Sequence, residues 1–132
     1  MLEICDMERI HFHLIDRDSY FISRVRREHI DDVPLTATIK RVIESPAPMW
    51  FVSYEYAYFS LSRIQRGGRL KANNIRNRML HDLYEEVMKV SQKDNTKWTD
   101  VLLDVICSPA PRLYITLPSA RILFYKLNKK KK

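Results

Sequence analysis

The sequence predicts a mainly α-helical single domain over residues 1–128. It is made of two copies of one helix-helix-proline turn-short extended-helix unit, packed about a pseudo-twofold axis, with one or two short strands. Three observations lead there. Ser45-Pro46-Ala47-Pro48 recurs as Ser108-Pro109-Ala110-Pro111, 63 positions further on. At that offset the flanking apolar positions also coincide: Leu35, Ile39, Val42 and Ile43 fall on Trp98, Leu102, Val105 and Ile106, while Trp50-Phe51-Val52-Ser53 falls on Leu113-Tyr114-Ile115-Thr116. Third, two glycines and 30% charged residues in 132 suit helices and leave too few turn residues for a β-sandwich. The copies are expected at about residues 20–64 and 83–127. Neither would bury enough apolar surface alone, so they are expected to share one core.

Taken in order, Ile10-His11-Phe12-His13-Leu14-Ile15 alternates apolar and polar and predicts a short strand. Asp16-Arg17-Asp18-Ser19 offers capping side chains before Tyr20, Phe21, Ile22 and Val25, the spacing of a helix that runs to about Glu28. Leu35, Ile39, Val42 and Ile43 form the stripe of a second helix. Pro46 and Pro48 must stop it, because proline has no donor and restricts its predecessor. Met49 to Val52 should be extended, and Ser53 should cap a third helix with Tyr54, Ala57, Tyr58, Leu61 and Ile64 on its buried face. Gly67-Gly68 should close it, since glycine tolerates the left-handed conformation past a helix end.

Asn73-Asn74 then caps a long helix whose stripe is Ile75, Met79, Leu83, Val87 and Val90, followed by a polar connector from Ser91 to Lys97. Trp98 to Cys107 repeats the second helix and Leu113-Tyr114-Ile115 the extended piece. Thr116 caps the last helix, with Pro118 accommodated in its first turn. The extended pieces could pair with each other across the axis or with the N-terminal strand. Lys129 to Lys132 form a tail expected to be disordered.

No stretch approaches the roughly 20 apolar residues that span a bilayer, and the first residues lack a basic segment followed by a long apolar run. A cytoplasmic protein with no membrane partner is expected. Cys5 and Cys107 are too few for a disulfide framework, and Cys107, at the end of an apolar helical pattern, reads as a reduced thiol.

Enzyme signatures are missing: there is no Gly-rich phosphate loop, no H-E-x-x-H, no G-x-S-x-G and no Cys/His ligand spacing. His11 and His13 would share one strand face, but no Cys or carboxylate stands beside them at ligand spacing. His81 and Asp82 are adjacent on a helix and point apart. No acid-base pair can be nominated, so no enzyme, metal or cofactor is expected.

Charge gives the leading functional reading. The formal net charge is +7, of which the lysine tail supplies four. From Tyr56 to His81 there is no acidic residue, while Arg63, Arg66, Arg69, Lys71, Arg76 and Arg78 all fall there. Such a field can hold a nucleic-acid backbone through charge and counterion release; the structural alternative is a solvated face. Arg24, Arg26 and Arg27 are already offset by Glu28, Asp31 and Asp32. The link from Ser45 to Val52 is too long for a helix-turn-helix, so binding without base readout is expected.

Aromatic crowding supports the rival reading, a homo-oligomer or protein partner. Trp50, Phe51, Tyr54, Tyr56, Tyr58 and Phe59 lie within ten residues, more than one helix face can bury. Trp50, Tyr56 and Phe59 are the candidate interface.

Overall fold

The computed structural model describes residues 13–68 and 74–130, with side chains from 17 to 68 and from 74 to 127. Six helices form this part of the chain: α1 His13–Glu28, α2 Leu35–Glu44, α3 Tyr54–Gln65, α4 Ile75–Asp94, α5 Trp98–Ile106 and α6 Leu117–Lys130. Among the described residues there is no strand, only an isolated antiparallel bridge between Ala47 and Ala110.

The helix boundaries follow from local chemistry, with three departures from expectation. His13 to Ile15 belong to α1, not to a strand, and the expected capping residues Asp16 to Ser19 lie inside the same helix. Five alternating positions are too few to fix a period. Phe21, Ile22 and Val25, all buried, set a helical one instead, and Asp18 accepts from the Arg17 guanidinium at 3.0 and 3.1 Å where a cap was expected. Ile10 to Phe12 lie outside the described residues.

The second departure is at the end of α4, which takes in Ser91 to Asp94, expected as connector. It stops at Asn95, whose φ of 53° is the left-handed conformation that asparagine tolerates. The Thr96 N–H then reaches back to the Ser91 carbonyl at 3.0 Å. Third, α6 continues through Asn128 to Lys130, so the first two tail lysines extend a helix; Lys131 and Lys132 lie outside the described residues.

The other boundaries match. Ser53 Oγ accepts from the Tyr56 N–H at 3.2 Å, Asn74 Oδ1 from the Asn77 N–H at 2.9 Å and Thr116 Oγ1 from the Ser119 N–H at 3.4 Å. Past α3, Gly67 has φ 86°, and the Gly68 N–H donates to the Arg63 carbonyl at 2.8 Å. A Cβ at Gly68 would stand 2.9 Å from that carbonyl oxygen, so glycine is required there.

The helices pack in two groups. α1 lies on α2 and α6, and α4 lies on α5 and α3, with α2 on α6 and α3 on α5 completing each group. Each group therefore takes its third helix from the other half of the sequence. One hydrophobic cluster joins the two, with Phe21, Ile39, Ile43, Leu61, Leu80, Leu83, Leu102 and Ile106 among its fully buried side chains. The α3 stripe is narrower than expected: Ala57, Ser60 and Leu61 are buried, while Tyr58 is exposed, with its ring 5.7 Å from Trp98.

Between the groups run the two proline links, which bond to each other. In Pro46-Ala47-Pro48 and Pro109-Ala110-Pro111 only the alanines carry a backbone donor. The Ala47 N–H donates to the Ala110 carbonyl at 2.9 Å and the Ala110 N–H returns to Ala47 at 3.0 Å. The Trp50 N–H reaches the Ile106 carbonyl at the end of α5, at 2.9 Å, and the Leu113 N–H reaches the Ile43 carbonyl near the end of α2, at 3.2 Å. Ser45 and Ser108 each return their hydroxyl to the preceding helix, on the Val42 and Val105 carbonyls at 2.8 and 2.6 Å. Helix ends that proline leaves short of partners are thus satisfied by the opposite link.

Arg24 ties α1 to the first link. Its guanidinium donates to Glu28 at 2.5 Å, to the Tyr20 hydroxyl at 2.8 Å and to Ser45 Oγ at 3.1 Å, and Glu28 also accepts from Arg41. The hydrogen bond from Arg24, helped by its charge and by Arg41, holds the Glu28 carboxyl below its ordinary value. A carboxyl lowered on folding stabilises the native state above its unfolded pKa and loses that contribution as pH falls through the folded one. Glu28→Gln is therefore expected to flatten the fall in stability on acidification from about pH 4.5 downwards, by about 1 kcal/mol for a part-buried pair at the molecule's edge. Denaturant titrations at several pH values check this.

Ala47 and Ala110 are both buried at the contact between the links. Ala47→Leu and Ala110→Leu are each expected to cost about 1–3 kcal/mol by overpacking. Because the two sites touch, the double variant should depart from additivity, measured by denaturant unfolding.

Candidate nucleic-acid interface

The basic stretch divides between two helices that run side by side in the same direction. Arg76 in the first turn of α4 lies over the Tyr56 ring in the first turn of α3, 5.9 Å from its centroid. Further along, Tyr84 of α4 donates to Gln65 Oε1 at the end of α3 at 2.8 Å. At about 1.5 Å per residue these contacts are about 12 Å apart on α4 and about 14 Å apart on α3, so the helices are parallel and their N-termini meet.

Tyr56, Phe59 and Arg63 follow one another at intervals of three and four residues on one face of α3, the C-cap residue Arg66 continues the line three positions on, and all four are exposed. Phe59 is 69% exposed and Tyr56 42%. This strip of two aromatic and two basic side chains is about 15 Å long. Arg76 is exposed beside its start, while Arg78, two positions on and so on another face of α4, is exposed on the side of Tyr114. Among the described residues no carboxylate pairs with any of these four arginines, in contrast to Arg17, Arg24 and Arg41. Arg69 and Lys71 lie outside the described residues.

Trp50 does not belong to this surface. It is 2% exposed and stacks on Tyr114 at 5.8 Å, where the proline link turns it inward, so its expected interface role is corrected to a core one. The crowding of aromatics is resolved by burying Trp50 and Phe51 and leaving Tyr56, Tyr58 and Phe59 outside.

The strip opens at its Tyr56 end on a cleft of about 680 Å³. Its floor is apolar, from Phe51, Val52, Ile75, Met79, Leu113 and Tyr114; Arg17, Tyr56 and Arg76 stand around it with the caps Ser53 and Asn74. Two parallel helices thus direct the positive ends of their dipoles at one place. Glu55 in the first turn of α3 offsets part of that field. The first turn of α4 holds no acidic residue and two arginines, the reverse of what a helix N-terminus favours.

A second unfavourable feature faces the same cleft. Tyr114 has φ 50°, left-handed backbone that costs a residue with a Cβ about 1–3 kcal/mol. The Trp50 stack, the Arg112 guanidinium 5.7 Å from its ring and a hydrogen bond from its hydroxyl to Asp82 at 2.6 Å hold it there. Burial, reinforced by Asp82, raises the Tyr114 phenol well above its ordinary pKa, so it stays protonated and donates.

Charge of the opposite sign is segregated. A smaller cleft of about 450 Å³ between α4 and the second link is lined by Asp82, Glu85 and Glu86 with Lys89, Trp50, Pro109 and Pro111. No group of three or more His, Cys, Asp or Glu side chains among the described residues is arranged to hold a metal ion.

Compared with family models, curated proteins and solved structures, the chain matches none. The geometry stands alone. Sequence reasoning missed Arg17, Ser53 and Tyr114 as parts of the cleft. Arg17 left no signal, since it comes from a distant helix. The acid-free start of α4, Ile75-Arg76-Asn77-Arg78, was a signal in plain view.

Arg76→Gln separates this site from the fold. Removing an exposed cation–π interaction costs about 0.5–1 kcal/mol, and relieving a cation at a helix N-terminus returns about 0.3–1 kcal/mol. Stability is expected to stay within about 0.5 kcal/mol of the parent in urea titrations at low salt.

Proposed function

We propose that this chain is a small, non-enzymatic, cytoplasmic protein that binds nucleic acid without sequence preference through the α3 strip and the start of α4. The observation that carries the reading is the run Tyr56, Phe59, Arg63 and Arg66 on one exposed helix face, with unpaired arginines at both ends. Aromatic faces stack on any base and arginines hold any phosphate, so such a strip follows a backbone without reading sequence. Segregation of Asp82, Glu85 and Glu86 to another cleft supports it, because a polyanion is then steered to one side. No helix among the described residues is long and apolar enough to cross a membrane.

The reading includes a duplicated single domain with pseudo-twofold packing. What supports it is reciprocity: every bond between the proline links has a counterpart 63 positions away, as Trp50 to Ile106 has Leu113 to Ile43. The helix packings also exchange in pairs, α1 on α6 for α4 on α3 and α2 on α6 for α5 on α3. Third helices that cross to the opposite group would make neither half complete alone.

One observation favours assembly with a second copy or another protein. Ile122 of α6, 63 positions after Phe59, is likewise 69% exposed, and Tyr125 one turn on is 53% exposed. Two apolar outer faces on one molecule can hold two neighbours.

Titrating labelled oligonucleotides across a salt series, with Lys129 to Lys132 deleted, tests the leading reading. The tail-deleted protein is expected to bind still, and Arg63→Gln with Arg66→Gln should lower the log–log salt slope by about 0.7 for each arginine–phosphate pair removed. If all affinity departs with the four lysines, the folded body has no such site. Sedimentation of the same samples reports assembly, which Phe59→Ala with Ile122→Ala should then weaken.

A further inference from the structure

The cleft beside Tyr56 differs from the strip in kind. A strip of side chains on a helix has no hollow, whereas this half-open cleft of about 680 Å³ has the volume of sites that hold a small ligand. Its apolar floor from Ile75, Met79 and Leu113 has no use for a phosphate, and its arginines have none for an apolar ligand. A ligand that satisfies both must be flat and apolar at one end and anionic at the other. Arg76 is already suited to the second task. It lies over the Tyr56 ring and pairs with no carboxylate among the described residues, so its N–H groups can turn to an oxyanion.

Two unfavourable features of the chain meet at this cleft. Two arginines without an acid open α4, and Tyr114, with its left-handed backbone, lines the same cleft. The second link needs no such strain for its own sake, because Phe51, at the matching place in the first link, keeps a negative φ. Local conflict of this sort gathers where a chain is shaped for a ligand and not for stability alone.

We infer that the cleft receives one unstacked nucleotide of a single strand, its base on the apolar floor beside Tyr56 and its phosphate at Arg76. The inference rests on the nucleic-acid reading and sharpens it: a base held in a duplex cannot enter, so the protein selects single strands. The neighbouring nucleotides continue along Phe59, Arg63 and Arg66.

Fluorescence anisotropy at one fixed ionic strength tests this with three probes, a labelled single strand, the blunt duplex of the same sequence, and a strand of abasic deoxyribose phosphates. The single strand is expected to bind the parent protein about tenfold tighter than either other probe, the effect of one or two stacked bases. Tyr56→Ala should lower single-strand affinity about tenfold and so narrow the gap between the single strand and the other two probes. Equal affinity for single strand, duplex and abasic strand would overturn the inference while leaving polyanion binding intact. Binding of none of the three would overturn the underlying reading as well. The abasic arm uses the unaltered chain, so the test holds even if Tyr56→Ala fails to fold.

Discussion

Everything in this architecture depends on the exchange of backbone hydrogen bonds between two proline links. A Pro-Ala-Pro segment has one donor in three residues, and the helix before it ends with carbonyls that the chain cannot satisfy locally. Burying such a segment alone would cost about 1–3 kcal/mol for each polar group left unpaired. Two of them, antiparallel, solve the problem together: each alanine donates to the other, and each following segment caps the opposite short helix. The helices α2 and α5 are thereby held end to end with the partner link, and the direction in which α3 and α6 depart is set. Buried Ala57 and Ala120, with no side chain beyond Cβ, let those departing helices approach their neighbours closely.

That crossing of α3 is what creates the candidate site. Because α3 leaves its own half to lie on α4 and α5, its N-terminus is brought beside that of α4, although 21 residues separate Tyr54 from Ile75 in sequence. Parallel neighbouring helices have their dipoles aligned unfavourably. A chain selected only for stability would place acids at both N-termini; this one places a single glutamate on α3 and arginines on α4. Part of the positive potential of the two helix N-termini is therefore left uncompensated by their own first turns.

The parts of this picture written in the sequence are those decided within a few residues. Serine, asparagine and threonine caps, the Gly67-Gly68 closure, the proline stops and the stripes of α2, α4 and α5 all read correctly, because each depends on contacts three or four positions away. Tyr56 and Phe59 could be assigned to the surface for the same reason. What could not be read depends on partners far along the chain. Asp16 to Ser19 look like caps until Phe21 and Val25 are seen to continue a helix that begins earlier. Trp50 looks like an exposed anchor until the second link supplies Tyr114 to stack on it. The cleft draws Arg17, Tyr56, Arg76 and Tyr114 from four segments, and no spacing rule connects them.

Positions where the two halves differ at the 63-residue offset bear on function more than those where they agree. At matching positions the first half has Ser19, Ile22 and Ser23 where the second has Asp82, Glu85 and Glu86, and Phe51 where the second has Tyr114. Since the first half folds without carboxylates or a strained aromatic there, the packing does not require them in the second. Asp82 accepts the Tyr114 hydroxyl, and that bond helps hold the left-handed backbone which shapes the cleft. Glu85 and Glu86 meanwhile set a negative field on the side of α4 away from Arg76. One helix thus carries a basic start and an acidic middle. On the reading proposed above, a polyanion would be drawn to the end where Tyr56 and the cleft lie and turned from the other.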